Sequence, residues 1–506
     1  MRFRRRLPIG LAVLMALALP AGTSAGEQPT AILHAFDLPF RQVEEAVCRW
    51  GKQGWSHVQI SPAQQSHPGP FAAPMGWARR YQPVDLGVIA GLGTEQDLRQ
   101  LIRRAHGCGV RVIADVVFNH MADLDGRPER EDPIRFPGLG RADFHGLPGA
   151  TLRRPCRDGD SQVPGRSGYD DGNRDSELGC WLGSLPDLVF TANVKRIQKD
   201  HLDRLLRLGI DGFRFDAAKH MPPQVLKEYI DHVDGRSHRR TWNYLEVIED
   251  GDTRAQDYAW IAAVTDFVLY GSLRRAFSWG GDLRSLPAVA LADPRSVTFG
   301  RTHDNLAEIR VRRQDALDPW SDAADAWLAS AYVLARQDGT PLVLAGDAAA
   351  APYLSAGAQF RRILAARGRE GRNVSETILR PIDRSTVLLL QRGAEGFAVI
   401  NKGADRFDQP VLDLTLSNLE GCYRELRTGS TMAIERRGPK KFVTRWGSWR
   451  RGGLAVEPRD ALFFVRNVPS NGFLPGSLCK AGKNEKRGED AESNATQLEK
   501  KKHGER

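Results

Sequence analysis

Eight short apolar runs recur over the first two thirds of the chain, and the stretches between them repeat apolar residues at three- and four-residue spacing. The runs are "AILHAF" (31–36), "HVQIS" (57–61), "VRVIADVV" (110–117), "IDGFRFD" (210–216), "NYLEVI" (243–248), "AVTDFVLY" (263–270), "SVTFGR" (296–301) and "PLVLAG" (341–346). The intervening stretches include "EQDLRQLIRRAHGC" (95–108), "VKRIQKDHLDRLLRL" (194–208) and "AADAWLASAYVLARQ" (323–337). Strands separated by amphipathic helices pair in parallel, because each helix carries the chain back across the sheet. Eight such units close a barrel. A doubly wound open sheet shows the same alternation, so periodicity alone leaves both architectures open.

The connection over 121–184 is rich in Gly, Pro, Asp and Arg and has little periodicity. A connection of that length is a functional loop or a small inserted domain. After about residue 378 the pattern shifts to short alternating strands, "TVLLLQR", "GFAVIN", "VLDLTL" and "ALFFVR", which predict a C-terminal antiparallel β-sandwich to 467. Residues 468–506 are polar and charged and are expected to be disordered.

At the other end, Arg2, Arg4, Arg5 and Arg6 precede the apolar "LPIGLAVLMALAL" and the small-residue stretch "AGTSA". This predicts a secretory signal peptide over 1–25, cleaved after Ala25, and hence a secreted or periplasmic protein without stable membrane insertion. The formal charge of +10 includes those four arginines and falls to +6 without them. No basic stripe interleaved with aromatics appears, so a nucleic-acid partner is not expected. Six cysteines in an exported chain can pair. Cys156 and Cys180 share one irregular segment and form the favoured bridge, whereas Cys48 and Cys108 lie on helical patterns as buried thiols or a helix-to-helix bridge. No Cys-x-x-Cys occurs to suggest zinc.

In a closed barrel the C-terminal ends of all strands share one face, so residues there converge from distant sequence. The third run ends with Asp115, Asn119 and His120, the fourth with Arg214 and Asp216, the fifth carries Glu246, and the seventh leads to His303 and Asp304. Any one acid could be a helix cap or a surface ion pair. As a set, with Asp216 following "GIDGF" and Glu246 inside "YLEVI", they place carboxylates where burial is costly unless they are paired or used. Two carboxyls facing across a glycosidic bond are the chemical minimum for glycoside hydrolysis. Arg214, two residues before Asp216 and so on the same strand face, is positioned to keep that carboxylate ionised. Leu245 and Val247 are expected to give Glu246 the apolar surroundings of a general acid.

Taken in order and spacing, "DVVFNH", "GFRFDAAKH", "LEVI" and "FGRTHD" resemble the four signature regions of the alpha-amylase family of glycoside hydrolases, and "LPDL" (185–188) resembles its fifth, calcium-linked region. "WARRYQPVDLGVIAGLGTEQDL" is similar to the family's substrate-facing loop and second helix, so the resemblance spans roughly 31–350. It implies a (β/α)8 TIM barrel over 26–120 and 185–377, with the domain at 121–184 inserted after strand 3. It also implies a monomer acting on internal alpha-1,4 bonds of starch, glycogen and related alpha-glucans with retention of configuration.

Carried over residue by residue, the resemblance implies Asp216 as nucleophile, Glu246 as general acid/base and Asp304 as the third acid gripping sugar hydroxyls. It assigns His120 and His303 to the sugar beside the cleaved bond, Trp77 and Tyr81 to stacking on glucose rings, and Lys219 and His220 to the leaving-group side. Calcium is implied at Asn119, Asp187 and the backbone oxygen of His220, all hard oxygen donors, with Asp170 or Asp171 able to add another. Thr302 stands where chloride-activated relatives carry asparagine, so chloride is not implied although Arg214 matches one of its usual ligands. The segment "AGDAAAAPYL" after the eighth run has few groups to hold distal sugars. A transglycosylase using the same residues and a non-catalytic carbohydrate-binding relative are the alternatives, the second disfavoured by the intact acid triad.

Overall fold

The computed structural model describes residues 28–69, 76–124, 135–145, 174–182, 185–237, 240–286, 295–305, 320, 322–379, 385–409, 411–413, 419–436, 441–446 and 453–467. The predicted leader and tail, Cys156, Asp170 and Asp171 lie outside them. Eight parallel strands close a barrel: β1 (Ile32–Ala35), β2 (His57–Ile60), β3 (Arg111–Val116), β4 (Gly212–Phe215), β5 (Tyr244–Leu245), β6 (Ala263–Thr265), β7 (Ser296–Thr298) and β8 (Thr340–Leu344). Each pairs with its sequence neighbour, and β1 closes on β8 through Ile32↔Leu342 to His34↔Leu344. The TIM barrel is therefore the architecture, and the open sheet is excluded.

Helices α1 (Phe40–Lys52), α2 (Glu95–Gly107), α3 (Ala192–Leu208), α4 (Pro223–Arg236), α5 (Phe267–Phe277), α6 (Ala323–Ala335) and α7 (Tyr353–Arg369) follow the strands. Local chemistry sets their ends. Thr94 and Asp97 form a reciprocal capping box at the start of α2, and α3 stops at Gly209, whose φ of 105° a residue with a Cβ would resist. Gly212 opens β4 because a Cβ there would collide with the carbonyl oxygen of Trp242.

Every strand is shorter than its apolar run, and two of the runs pass from strand into helix. The sixth ends at Thr265, where the Asp266 side chain accepts the Leu269 N–H at 2.8 Å and starts α5 from the remaining apolar residues. The eighth ends at Leu344, and Ala345–Ala350 forms a short helix. A short apolar run does not by itself separate strand from buried helix.

The C-terminal strands form an eight-stranded antiparallel sheet together with a two-stranded pair, Phe407–Gln409 with Leu454–Val456. The layers are thus unequal, and the sheet begins at Glu376, two residues before the expected boundary. Alternation sorts its side chains between two cores. Leu389, Phe397, Val399, Leu462 and Phe464 pack with Phe407, Leu454 and Val456 of the small pair. Leu388, Leu390, Ala398, Ile400, Phe463 and Val465 join the barrel core, where Phe463 meets Phe360 of α7 with ring centroids 5.5 Å apart. Among the described residues no helix is long and apolar enough to cross a membrane.

Cys48 and Cys108 form a disulfide that ties α1 to the end of α2, with Cα atoms 5.3 Å apart, so the bridge is the correct alternative for this pair. Cys180 and Cys422 are also disulfide-bonded. Replacing Cys48 and Cys108 together by alanine is expected to cost about 2–4 kcal/mol, because the 60-residue separation leaves a long loop unconstrained in the unfolded chain. Denaturant unfolding of the double variant beside the oxidised parent measures this.

Candidate active site

One guanidinium organises the mouth of the barrel. Arg214 lies in β4 with its side chain toward the barrel axis, where it is almost fully buried. Its Nη1 donates to Asp115 Oδ2 at 2.6 Å and to Asp216 Oδ1 at 2.9 Å, and its Nη2 donates to Glu246 Oε1. Three carboxylates from the ends of β3, β4 and β5 thus converge on one cation. Tyr81 O–H donates to the same Asp115 oxygen at 3.0 Å, and Ala217 N–H donates to Glu246 Oε2 at 3.1 Å.

One positive charge does not offset three buried negatives. Burial raises the pKa of Asp216 well above the ordinary carboxylate range; Arg214 opposes the rise, while Glu246, Asp115 and Asp304 add to it. Asp115 is raised by burial in the same way. Arg214 acts on Asp216 in the expected direction, but its charge is shared with Asp115 and Glu246. Glu246 differs from expectation: its carboxylate faces the guanidinium and a backbone N–H, whereas Leu245 and Val247 are fully buried in the barrel core.

Asp304 follows β7 in a short turn. Thr302 Oγ1 donates to its Oδ2 at 3.1 Å, His303 Nε2 lies 3.2 Å from its Oδ1, and burial raises its pKa. The carboxylate remains partly open to solvent while its neighbours are buried. His303 is sandwiched between rings, stacked on Phe36 at 4.7 Å and on Tyr81 at 5.0 Å, with Trp77 edge-on at 5.2 Å. Burial, reinforced by Arg214, lowers the His303 pKa to about 3, and burial lowers that of His120 to about 4. Both are neutral imidazoles near pH 7, able to exchange hydrogen bonds with hydroxyls. His120 Nε2 lies 3.0 Å from the Tyr81 carbonyl oxygen. Tyr81 is nearly covered, with one face on His303 and the Arg214 guanidinium 5.7 Å from its ring centroid, while Trp77 stays half-buried.

The Lys219 ammonium pairs with Asp250, and Glu177 Oε1 lies 3.6 Å away. His220 Nδ1 lies 3.1 Å from the Glu177 carbonyl oxygen. Asn119 and Asp187 are brought together where the chain returns from the insertion: His120 bridges Asp187, and Leu188 N–H donates to the Asn119 carbonyl at 3.0 Å. Asn119 Oδ1 is buried without a hydrogen-bond partner among the described residues. The Asp187 carboxylate is buried and held by His145 Nδ1 at 2.6 Å.

Several contributors were not singled out from sequence. Asp115 was noted at a strand tip but not as a partner of Arg214. His34 and Phe36 of the first run and Gln59 of the second also face this interior: Gln59 Nε2 lies 3.3 Å from His34 Nε2, and Tyr244 O–H reaches Gln59 Oε1. Polar side chains inside otherwise apolar strands were the available signal.

Residues 80–249 match the family profile described as alpha amylase, catalytic domain. An alpha-amylase from Aeromonas hydrophila is 31% identical over 343 residues, covering 62% of this chain and 70% of that protein. The chain belongs to the alpha-amylase family. An alpha-amylase-related protein from Drosophila pseudoobscura pseudoobscura is 30% identical over 301 residues, and the match spans only 56% of its length. A mutant of alpha-amylase I from Eisenia fetida, solved with maltohexaose, shares the fold with a TM-score of 0.64 at 19% identity, over 86% of this chain and 98% of that one. The chain carries its carboxylates at the C-terminal ends of the barrel strands, the face where such folds place their chemistry.

Replacing Arg214 by methionine leaves the buried carboxylates without their cation and is expected to destabilise the fold by about 3–5 kcal/mol at pH 7.5. A carboxyl with a raised folded-state pKa supports folding when protonated and loses that contribution as pH rises through the folded value. The loss should therefore shrink near pH 5, where Asp115 and Asp216 take up protons more readily. Thermal unfolding of parent and variant at both pH values checks this; an equal loss at each would contradict it.

Proposed function

We propose that the protein is a retaining, endo-acting alpha-amylase that hydrolyses internal alpha-1,4 bonds of starch, glycogen and related alpha-glucans. The observation that carries this reading is the attachment of Asp216 and Glu246, on neighbouring strand tips, to the two ends of one guanidinium. Carboxylates tethered in this way leave little room for an intervening water, which favours the spacing of about 5–5.5 Å used by retaining glycosidases over the wider spacing of inverting ones.

In the first step an Asp216 carboxylate oxygen attacks the anomeric carbon, the glycosidic C–O bond breaks, and the proton on Glu246 goes to the departing oxygen. A protonated Glu246 no longer attracts the guanidinium, so Arg214 stays with Asp115 and Asp216 while the acid turns to the leaving oxygen. In the second step Glu246 takes a proton from water, the water oxygen bonds to the anomeric carbon, and Asp216 leaves as carboxylate. Asp304, partly open and braced by Thr302, grips hydroxyls of the sugar being distorted. His120 and His303 serve that sugar as neutral hydrogen-bonding groups, and Trp77 with the edge of Tyr81 gives it an apolar wall.

Calcium fits the oxygens at the base of the insertion. The unpartnered Asn119 Oδ1 and the buried Asp187 carboxylate are hard donors. With the His220 backbone oxygen they would hold the ion, whose positive charge would tie the insertion to the ends of β3 and β4.

On soluble starch the protein should release short alpha-configured maltooligosaccharides, and Glu246→Gln should release almost none, as chromatography of the products would show. Longer or rearranged glucans would point to transglycosylation; starch bound but uncut would overturn the catalytic assignment. Chelation with EGTA should lower Tm by several degrees, and added calcium should restore it.

A further inference from the structure

We infer that Arg301, bound to Asp347, is a positioning residue for Asp304: the pair fixes the turn after β7 against the end of β8 and so sets where the third acid meets the sugar. This rests on the glycosidase reading above and adds two residues to its machinery.

The strand that leads to Asp304 gives it little support. β7 is three residues long and shares two registers with each neighbour, Val264↔Ser296 and Thr265↔Val297 with β6, and Thr340↔Val297 and Pro341↔Thr298 with β8. Phe299 is still anchored, its ring centroid 5.0 Å from that of Phe267 and 5.7 Å from that of Tyr270. The Gly300 carbonyl accepts from Trp320 Nε1 at 2.9 Å. From Arg301 to Asn305 the chain then turns outside the sheet on local bonds. Thr302 N–H donates to Asn305 Oδ1 at 3.1 Å, and Asp304 N–H donates to Thr302 Oγ1 at 3.3 Å. Such bonds give a turn its shape but not its place. The position of Asp304 therefore depends on what ties residues 301–305 to the rest of the barrel.

Two side chains of the turn reach outward. The His303 ring is held between Phe36 and Tyr81, toward β1. Arg301 reaches the other way: its Nε donates to Asp347 Oδ2 at 2.9 Å and its Nη2 donates to Asp347 Oδ1, a bidentate pair with both side chains nearly buried. Asp347 is the charged residue of "AGDAAAAPYL" and sits in the short helix that directly follows β8. The pair thus joins the ends of β7 and β8 past the point where their registers stop. Among the described residues neither group has another ion-pair partner, so removing one leaves a lone buried charge. A planar guanidinium on both carboxylate oxygens fixes direction as well as distance. Arg301 stands three positions before Asp304, and a shift of about 1 Å in a group that grips substrate can lower turnover about a hundredfold.

The test is a double-mutant cycle on kcat, with Arg301→Met and Asp304→Asn made singly and together and assayed on an activated aryl alpha-maltotrioside. The cycle is repeated with Asp347→Asn, which keeps the side-chain shape, so that poor folding of Arg301→Met does not end the experiment. If Arg301 acts through Asp304, breaking the pair lowers kcat about tenfold or more in the parent, and about twofold or less once Asp304 is asparagine. Equal losses in both backgrounds, in protein that circular dichroism shows to be folded, would make the pair structural only and overturn the proposal. A raised KM with kcat kept would make Arg301 a sugar contact and overturn it as well. Amide hydrogen exchange gives a reading independent of catalysis: residues 302–305 should exchange faster in Arg301→Met and Asp347→Asn, and unchanged exchange would count against the pair as what holds the turn. Failure of the parent to cleave the aryl glycoside would count against the glycosidase reading alone.

Discussion

A single buried guanidinium shared by three carboxylates is the constraint around which the mouth of this barrel is built. Arg214 reaches Asp115, Asp216 and Glu246 from the middle of a four-residue strand, and each acid comes from a different strand end. Removing such groups from water is costly, and mutual attraction offsets the cost only when geometry and further hydrogen bonds are good. Tyr81 on Asp115 and Ala217 N–H on Glu246 supply two of those bonds. The shortage of positive charge shows in Asp115 and Asp216, whose pKa values burial raises and Arg214 only partly restores.

The rest of the fold serves this arrangement at increasing distance. Strands β4 and β5 bring two acids side by side but pair over only two residues. Beyond those two registers, Lys219 after β4 pairs with Asp250 of the loop after β5. Aromatic packing does similar work on the opposite wall, where Phe36, Tyr81 and Trp77 fix the His303 ring in orientation and keep it neutral. The C-terminal sheet docks one face of its alternating strands on α7 and the barrel core.

Much of this was legible in the sequence because it is periodic or local. Eight apolar runs gave the strand count, and the polar residues at their ends gave the positions that converge. Strand ends were less legible where an apolar run continued into a helix, as at Asp266, because capping there depends on one carboxylate. The partners of those polar residues were hidden. Nothing in the local pattern around Lys219 says that Asp250 and Glu177 will claim its ammonium, since those contacts cross the insertion and a neighbouring loop. Nor could the run "YLEVI" show that Glu246 would face Arg214, because that follows from the register of two strands and the conformation of Ala217.

The most direct test of the account is the configuration of the first product. Proton NMR of a fresh maltooligosaccharide digest, recorded before mutarotation, distinguishes alpha from beta anomers at the newly formed reducing end. Attack by Asp216 followed by water activated at Glu246 predicts the alpha anomer first, with beta appearing only as the sugar equilibrates. Initial release of the beta anomer would mean a single displacement by water, and would contradict a nucleophile and an acid held together on one arginine.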